Sequence, residues 1–177
     1  LKKIEWLHSE PWRQLDIHQK VATLNAAGRV LAEVYHLPAP PLLVKDLGAP
    51  NRLGVYGDGY RFNADTEMVE GSDYGIKMNT EAETDHGKLF GSDPSVALQT
   101  YAHEFRHSYQ AEQTLRYQKP QFRNLVDDAD EAQAWLHEYI LPPENSDDDR
   151  QYWQYWQQPV EGDARNFADE LVKRVYG

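Results

Sequence analysis

Cysteine is absent from the 177 residues, so neither a disulfide framework nor a thiolate metal site is open to this chain. Any metal must be held by histidine and carboxylate. Basic residues are in deficit, 18 against 29 acidic, and the formal net charge of −11 would repel a phosphate backbone. With no basic stripe to offset it, nucleic acid is excluded as the expected partner. No apolar run approaches the roughly 18 to 20 residues that a membrane helix needs, and no charged, apolar and small-residue series marks a signal peptide. The expectation is a soluble chain with no membrane partner, cytoplasmic or delivered as a domain of a larger protein. Its first residue, Leu1 rather than Met, fits a piece of a longer polypeptide. Tandem repeats, low-complexity tracts and compositional shifts are missing too, so residues 1–177 read as one domain large enough for its own core.

What is present is concentrated between Tyr101 and Gln110, where His103 and His107 stand four residues apart with Glu104 between them. On a helix, residues i and i+4 lie one above the other, so both imidazoles can point at a single cation with Glu104 beside them. Imidazole suits zinc, and a catalytic zinc takes three protein ligands and keeps its fourth position for water. Glu104 would then accept the proton of that water. A His-Glu-x-x-His string fixes only three positions and also arises by accident on solvated helices. Two contexts separate the cases: the string must lie in a real helix, and a third ligand must exist elsewhere.

Taken in order, residues 12–35 carry apolar side chains at three- and four-residue spacings and predict one amphipathic helix, with His18 on its surface or in its packing. Prolines 38, 40 and 41 end it and lead into a short strand at 42–46. Asp58-Gly59 between alternating runs predicts a hairpin, and 74–79 a further strand. The resulting small sheet would offer a peptide an edge to pair with, and Gly75–Asn79 is the expected edge. Residues 80–92 read as a polar loop in which His86 is solvated. Ser92 or Asp93 as cap and Pro94 in the first turn start a helix over 94–116, so the first context is met.

Helical spacing resumes at 122–140, where Asp127, Asp128, Asp130 and Glu131 lack the pattern of a calcium loop and read as a solvated face. Pro142, Pro143 and Asp147–Asp149 read as a linker. Tyr152, Trp153, Tyr155 and Trp156 read as core or as the rim of a cleft. A last helix begins near Pro159, and Ala164, Phe167, Ala168, Leu171 and Val175 give it a buried stripe. Glu161 lies at its start on the same side. An inward carboxylate is costly unless it meets a cation, which makes Glu161 the candidate third ligand; the alternative is an exposed first-turn Glu favoured by the helix dipole.

His103-Glu104-x-x-His107 followed by Glu161-x-x-Ala164 resembles the HExxH and ExxA helices of the gluzincin class of zinc metallopeptidases. Residues 161–172 are also similar to the corresponding helix of ImmA/IrrE-like peptidases. The layout over roughly 53–172 looks most like small bacterial metallopeptidase domains of phage elements and polymorphic toxins. The resemblance implies a zincin-like fold, Zn2+ held by His103, His107 and Glu161, and Glu104 as general base. Many relatives place an acidic or amide residue four after the ligand Glu, where it orients a ligand His. Here that residue is Arg165, which leaves Asp163 as an open possibility for the role. Tyr109, Tyr139, Tyr155 and His137 are the candidates for stabilising an oxyanion.

Together these readings predict an α+β, mostly helical domain with a small sheet packed over the metal helix. The expected activity is hydrolysis of peptide bonds in a peptide or protein substrate by a Glu-activated zinc-bound water. Two alternatives stand beside it: a degenerate peptidase-like binding module with structural or absent metal, and a zinc hydrolase of non-peptide substrates.

Overall fold

The computed structural model describes residues 4–49, 51–57, 61–63, 68–70, 75–85, 87–138 and 149–177. The stretch expected as one helix over 12–35 forms two, α1 (Ser9–Gln14) and α2 (Ile17–Val34). Asp16 makes the break. Its carboxylate accepts the Gln19 N–H at 2.9 Å while the Gln19 side-chain oxygen accepts the Asp16 N–H at 2.9 Å, a capping box that starts a fresh helix. The apolar period runs across this Asp-x-x-Gln signal and hides it.

Five strands follow: β1 (Leu42–Lys45), β2 (Gly54–Gly57), β3 (Arg61–Asn63), β4 (Met68–Glu70) and β5 (Gly75–Asn79). Three of them make the main sheet in the order β1-β5-β2, with β1 parallel and β2 antiparallel to β5. Two expectations are corrected here. The strands flanking 58–59 are not each other's partners, since β3 pairs with β4; the turn itself lies outside the described residues. Nor is Gly75–Asn79 the edge. Ile76, Met78 and Asn79 are fully buried, and β5 is paired on both sides, which is where such a run belongs.

Two residues fix β5 and the approach to β2. Gly75 has φ +138°, and a side chain there would run into the Pro41 carbonyl that accepts the Ile76 N–H, so only glycine lets β5 start this close to the chain before β1. At the other end, the buried Asn79 amide donates to the carbonyls of Ala49 (2.8 Å) and Arg52 (2.9 Å), tying down the loop that delivers β2. Residues 80–92 contain a small hairpin of β6 (Glu83–Thr84) and β7 (Gly87–Lys88), and His86 lies outside the described residues.

The long helix α3 (Pro94–Gln118) starts as expected, with the Asp93 carboxylate accepting the Ser95 N–H at 2.9 Å and Pro94 in the first turn. Beyond it, the helix expected over 122–140 is replaced by a 3-10 turn (Pro120–Leu125) and a short α4 (Ala129–His137). The cause is Asp127. It accepts the Tyr109 hydroxyl (2.8 Å) and the Gln113 amide (3.2 Å), and Gln113 in turn accepts the Asp127 N–H, so this residue is tied to α3 while staying exposed. Asp128 then caps α4 by accepting the N–H groups of Asp130 and Glu131. All four acidic residues are exposed, as expected of a solvated face, but only Asp130 and Glu131 lie within a helix. Tyr139, Ile140, Pro142, Pro143, Asp147 and Asp148 lie outside the described residues; α5 (Asp149–Gln157) and α6 (Pro159–Tyr176) complete the chain.

Side chains of α2, the main sheet, α3 and α6 share one buried cluster that includes Leu24, Leu31, Ile76, Met78, Leu98, Tyr101, Phe105 and Val175. The result is the expected α+β architecture, mostly helical, with β2 and β5 packed over α3. No helix among the described residues is long and apolar enough to cross a membrane.

Candidate metal centre

α3 and α6 pack along each other, Gln99 donating to Asp169, Arg106 to Asp163 and Gln110 to the Val160 carbonyl, and this brings the first turn of α6 against the middle of α3. Glu161 is thereby turned inward, at 4% exposure. His103 and His107 face it from α3, their ring Nε2 atoms 3.0 Å apart. The Glu161 carboxylate oxygens lie 3.3 Å from His103 Nε2 and 3.5 Å from His107 Nε2. Among the described residues this is the only group of three or more His, Asp or Glu side chains arranged to hold an ion.

These spacings can be tested against a metal. Bonds of 2.0–2.1 Å in a tetrahedron put neighbouring donor atoms about 3.3 Å apart; the two imidazole nitrogens stand near that spacing from each other, and each faces a different oxygen of Glu161 at a similar one. Two imidazoles and a carboxylate are also a donor set that suits zinc. Each of the three side chains offers a donor atom within 4.8 Å of the others, close enough for one such cation to gather them, and the imidazoles keep 20% and 16% exposure. Burial alone would raise the Glu161 pKa; the hydrogen bond to His103 and the charge of His107, with the Tyr155 hydroxyl, hold it below the usual value.

Glu104 lies between the two imidazoles on α3, buried beneath β2. Burial pushes its carboxyl up to about 7, and the neighbouring Glu161 adds to this, while His107, the Tyr56 N–H and Arg52 pull it down. The β2 backbone sits directly on it. A Cβ at Gly54 would stand 3.0 Å from Glu104 Cγ, 3.1 Å from Glu104 Oε1 and 3.1 Å from the Thr100 methyl, so glycine is what lets the strand approach. Gly54→Ala should push the Glu104 side chain off its present position by a few tenths of an ångström, which a crystal structure of the variant would show.

The sequence candidates for an oxyanion donor separate by position. Tyr155, half-buried on α5, donates its hydroxyl to Glu161 Oε1 at 2.5 Å and is therefore at the centre. Tyr109 is engaged with Asp127, His137 is exposed at the end of α4, and Tyr139 lies outside the described residues. The remaining aromatics of α5, Tyr152, Trp153 and Trp156, are exposed and are not core. Arg165 stacks on Trp156 at 3.9 Å, away from the imidazole-orienting role its position has in the resembled families.

An imidazole is instead met by Gln110, which the sequence reading did not single out, with Asp163, which it left open, behind it. Gln110, one turn beyond His107 on α3, puts its side-chain oxygen 2.8 Å from His107 Nδ1. Its amide nitrogen donates to the Val160 carbonyl at 2.8 Å and to Asp163 at 2.7 Å. Asp163 also receives both ends of the Arg106 guanidinium, at 2.7 and 3.0 Å, and that guanidinium packs on the rings of Tyr109, Trp135 and Phe167. The sequence signal for Gln110 was its i+3 spacing from His107. Comparison with protein-family models, curated proteins and solved structures gave no match.

Proposed function

We propose that this chain is a zinc-dependent metallopeptidase, with His103, His107 and Glu161 as ligands and Glu104 as general base. The observation that carries the reading is the convergence of two imidazole nitrogens and a buried carboxylate at separations of 3.0, 3.3 and 3.5 Å, with a second buried carboxylate on the same helix turn. Zinc bound there would polarise a scissile carbonyl and acidify an attacking water. Glu104 would accept that water's proton and deliver it to the leaving amine. The Tyr155 hydroxyl, already within the donor group, would supply a hydrogen bond to the charge that develops on the carbonyl oxygen.

A peptide is favoured over other substrates by β2. In its antiparallel register with β5, Leu53, Val55 and Gly57 face their partners, so the backbone groups of Gly54 and Tyr56 are directed to the outer side of the strand. The Tyr56 N–H meets Glu104 there. An extended peptide adding itself along this side would run past the base and the imidazoles. The test is mass spectrometry of a complex peptide mixture incubated with zinc-loaded protein. Cleavage that a chelator abolishes and that Tyr155→Phe reduces at least tenfold is expected; cleavage of no peptide, with zinc retained, would contradict the assignment.

A further inference from the structure

Resting on the metal site proposed above, we infer that Gln110 is the positioning residue that selects the metal-binding tautomer of His107. A neutral imidazole carries its proton on one ring nitrogen and can bind a metal only through the other. Which nitrogen is protonated is settled by the neighbour of Nδ1, so the orientation of the Gln110 amide decides the matter. That amide is not free to flip. One end of it faces the Val160 carbonyl at 2.8 Å and Asp163 Oδ2 at 2.7 Å, both acceptors, so the end there must be the NH2 group. The end left facing His107 is the carbonyl oxygen, at 2.8 Å from Nδ1. An oxygen can only accept. Nδ1 of the neutral ring therefore carries the proton and Nε2, the atom 3.0 Å from His103 Nε2 and 3.5 Å from Glu161, presents its lone pair.

Arg106 makes the arrangement directional. Its two bonds to Asp163 hold that carboxylate as an acceptor facing Gln110, and three aromatic rings hold the guanidinium in turn. The chain of contacts runs Arg106, Asp163, Gln110, His107, and it ties the first turn of α6 to the same imidazole that Glu161 faces. Asp163 thus acts on His107 through Gln110 and not by touching it, which explains why its i+2 position from Glu161 does not disqualify it.

The test reads the proton itself. Nitrogen-15 NMR of the metal-free protein, with histidine rings labelled and the pH high enough for neutral imidazoles, distinguishes an Nδ1–H from an Nε2–H ring. Wild-type His107 is expected as Nδ1–H; an Nε2–H ring would overturn the inference without any variant being made. Gln110→Met, which keeps volume and loses the acceptor, is expected to shift His107 toward Nε2–H and to weaken zinc binding about 10- to 100-fold. An unchanged tautomer and unchanged zinc affinity in that variant would overturn it as well. Wild-type protein with an Nδ1–H His107 but no tight zinc binding would instead sink the metallopeptidase reading and leave the tautomer assignment standing.

Discussion

Glu104→Gln is expected to keep its zinc and lose its turnover. Glutamine has nearly the shape of glutamate, so the packing beneath Gly54 and the hydrogen bond from the Tyr56 N–H survive the change. What disappears is a group that can take a proton. Positioned general bases contribute about 10²- to 10⁴-fold, and kcat should fall by that range with metal content unchanged. The substitution also has a thermodynamic signature that needs no substrate. In the metal-free protein the Glu104 carboxyl stands at about 7, against 4.5 for an ordinary glutamate, because burial disfavours its charge. Between those values the folded chain binds more protons than the unfolded one, so stability falls as pH rises through that window and has reached its lower level above 7. The loss is on the order of 3 kcal/mol. Glu104→Gln should remove this dependence, making the metal-free variant more stable than wild type at pH 8 in chemical denaturation. Equal stabilities at pH 8 would show that Glu104 is not held as the structure has it. A cation beside it would draw the carboxyl back to its ionised form, which is the form a base requires.

Removing a ligand should have the opposite pattern, losing metal and activity together. In structural sites four protein side chains share an apparent zinc-binding free energy of about 10–16 kcal/mol, so one ligand accounts for several kcal/mol. His103→Ala, His107→Ala and Glu161→Ala should each weaken zinc binding by on the order of a thousandfold or more. Isothermal titration with a competing chelator measures this directly. Glu161→Ala is the most informative of the three, because its carboxylate comes from a different helix and from the far end of the chain. If that variant bound zinc as tightly as wild type, the two imidazoles would be a pair on a helix and nothing more. The contrast between the two kinds of variant also separates the rival readings: a binding module with a structural ion would lose metal with the ligand variants but would have no turnover for Glu104→Gln to abolish.

Much of this site was legible because it is local. The i,i+4 spacing of His103 and His107 guarantees a shared helical face once Asp93 and Pro94 start α3, and the apolar stripe of α6 fixes which way Glu161 points. The parts that were not legible depend on contacts between distant segments. Nothing in the local pattern of 75–79 says that it is paired on both sides, and nothing near Gly54 announces that Glu104 lies within 3.1 Å of where its side chain would be. Asp127 reads as one more residue of an acidic helix until Tyr109 and Gln113 claim it. The capping box at Asp16 was local and readable, and an apolar period that continued across it obscured the break. Gln110 falls between the cases: its spacing from His107 is a local fact, but the acceptors that orient its amide come from α6.

The central claim is that three side chains from two helices close on one ion, and X-ray absorption at the zinc edge, combined with metal quantitation, tests it most directly. One zinc per chain is expected, bound through two imidazoles and a carboxylate oxygen at about 2.0–2.2 Å with one further light ligand. A chain that takes up no stoichiometric zinc, or a bound ion whose spectrum lacks the scattering of two imidazole rings, would contradict the account.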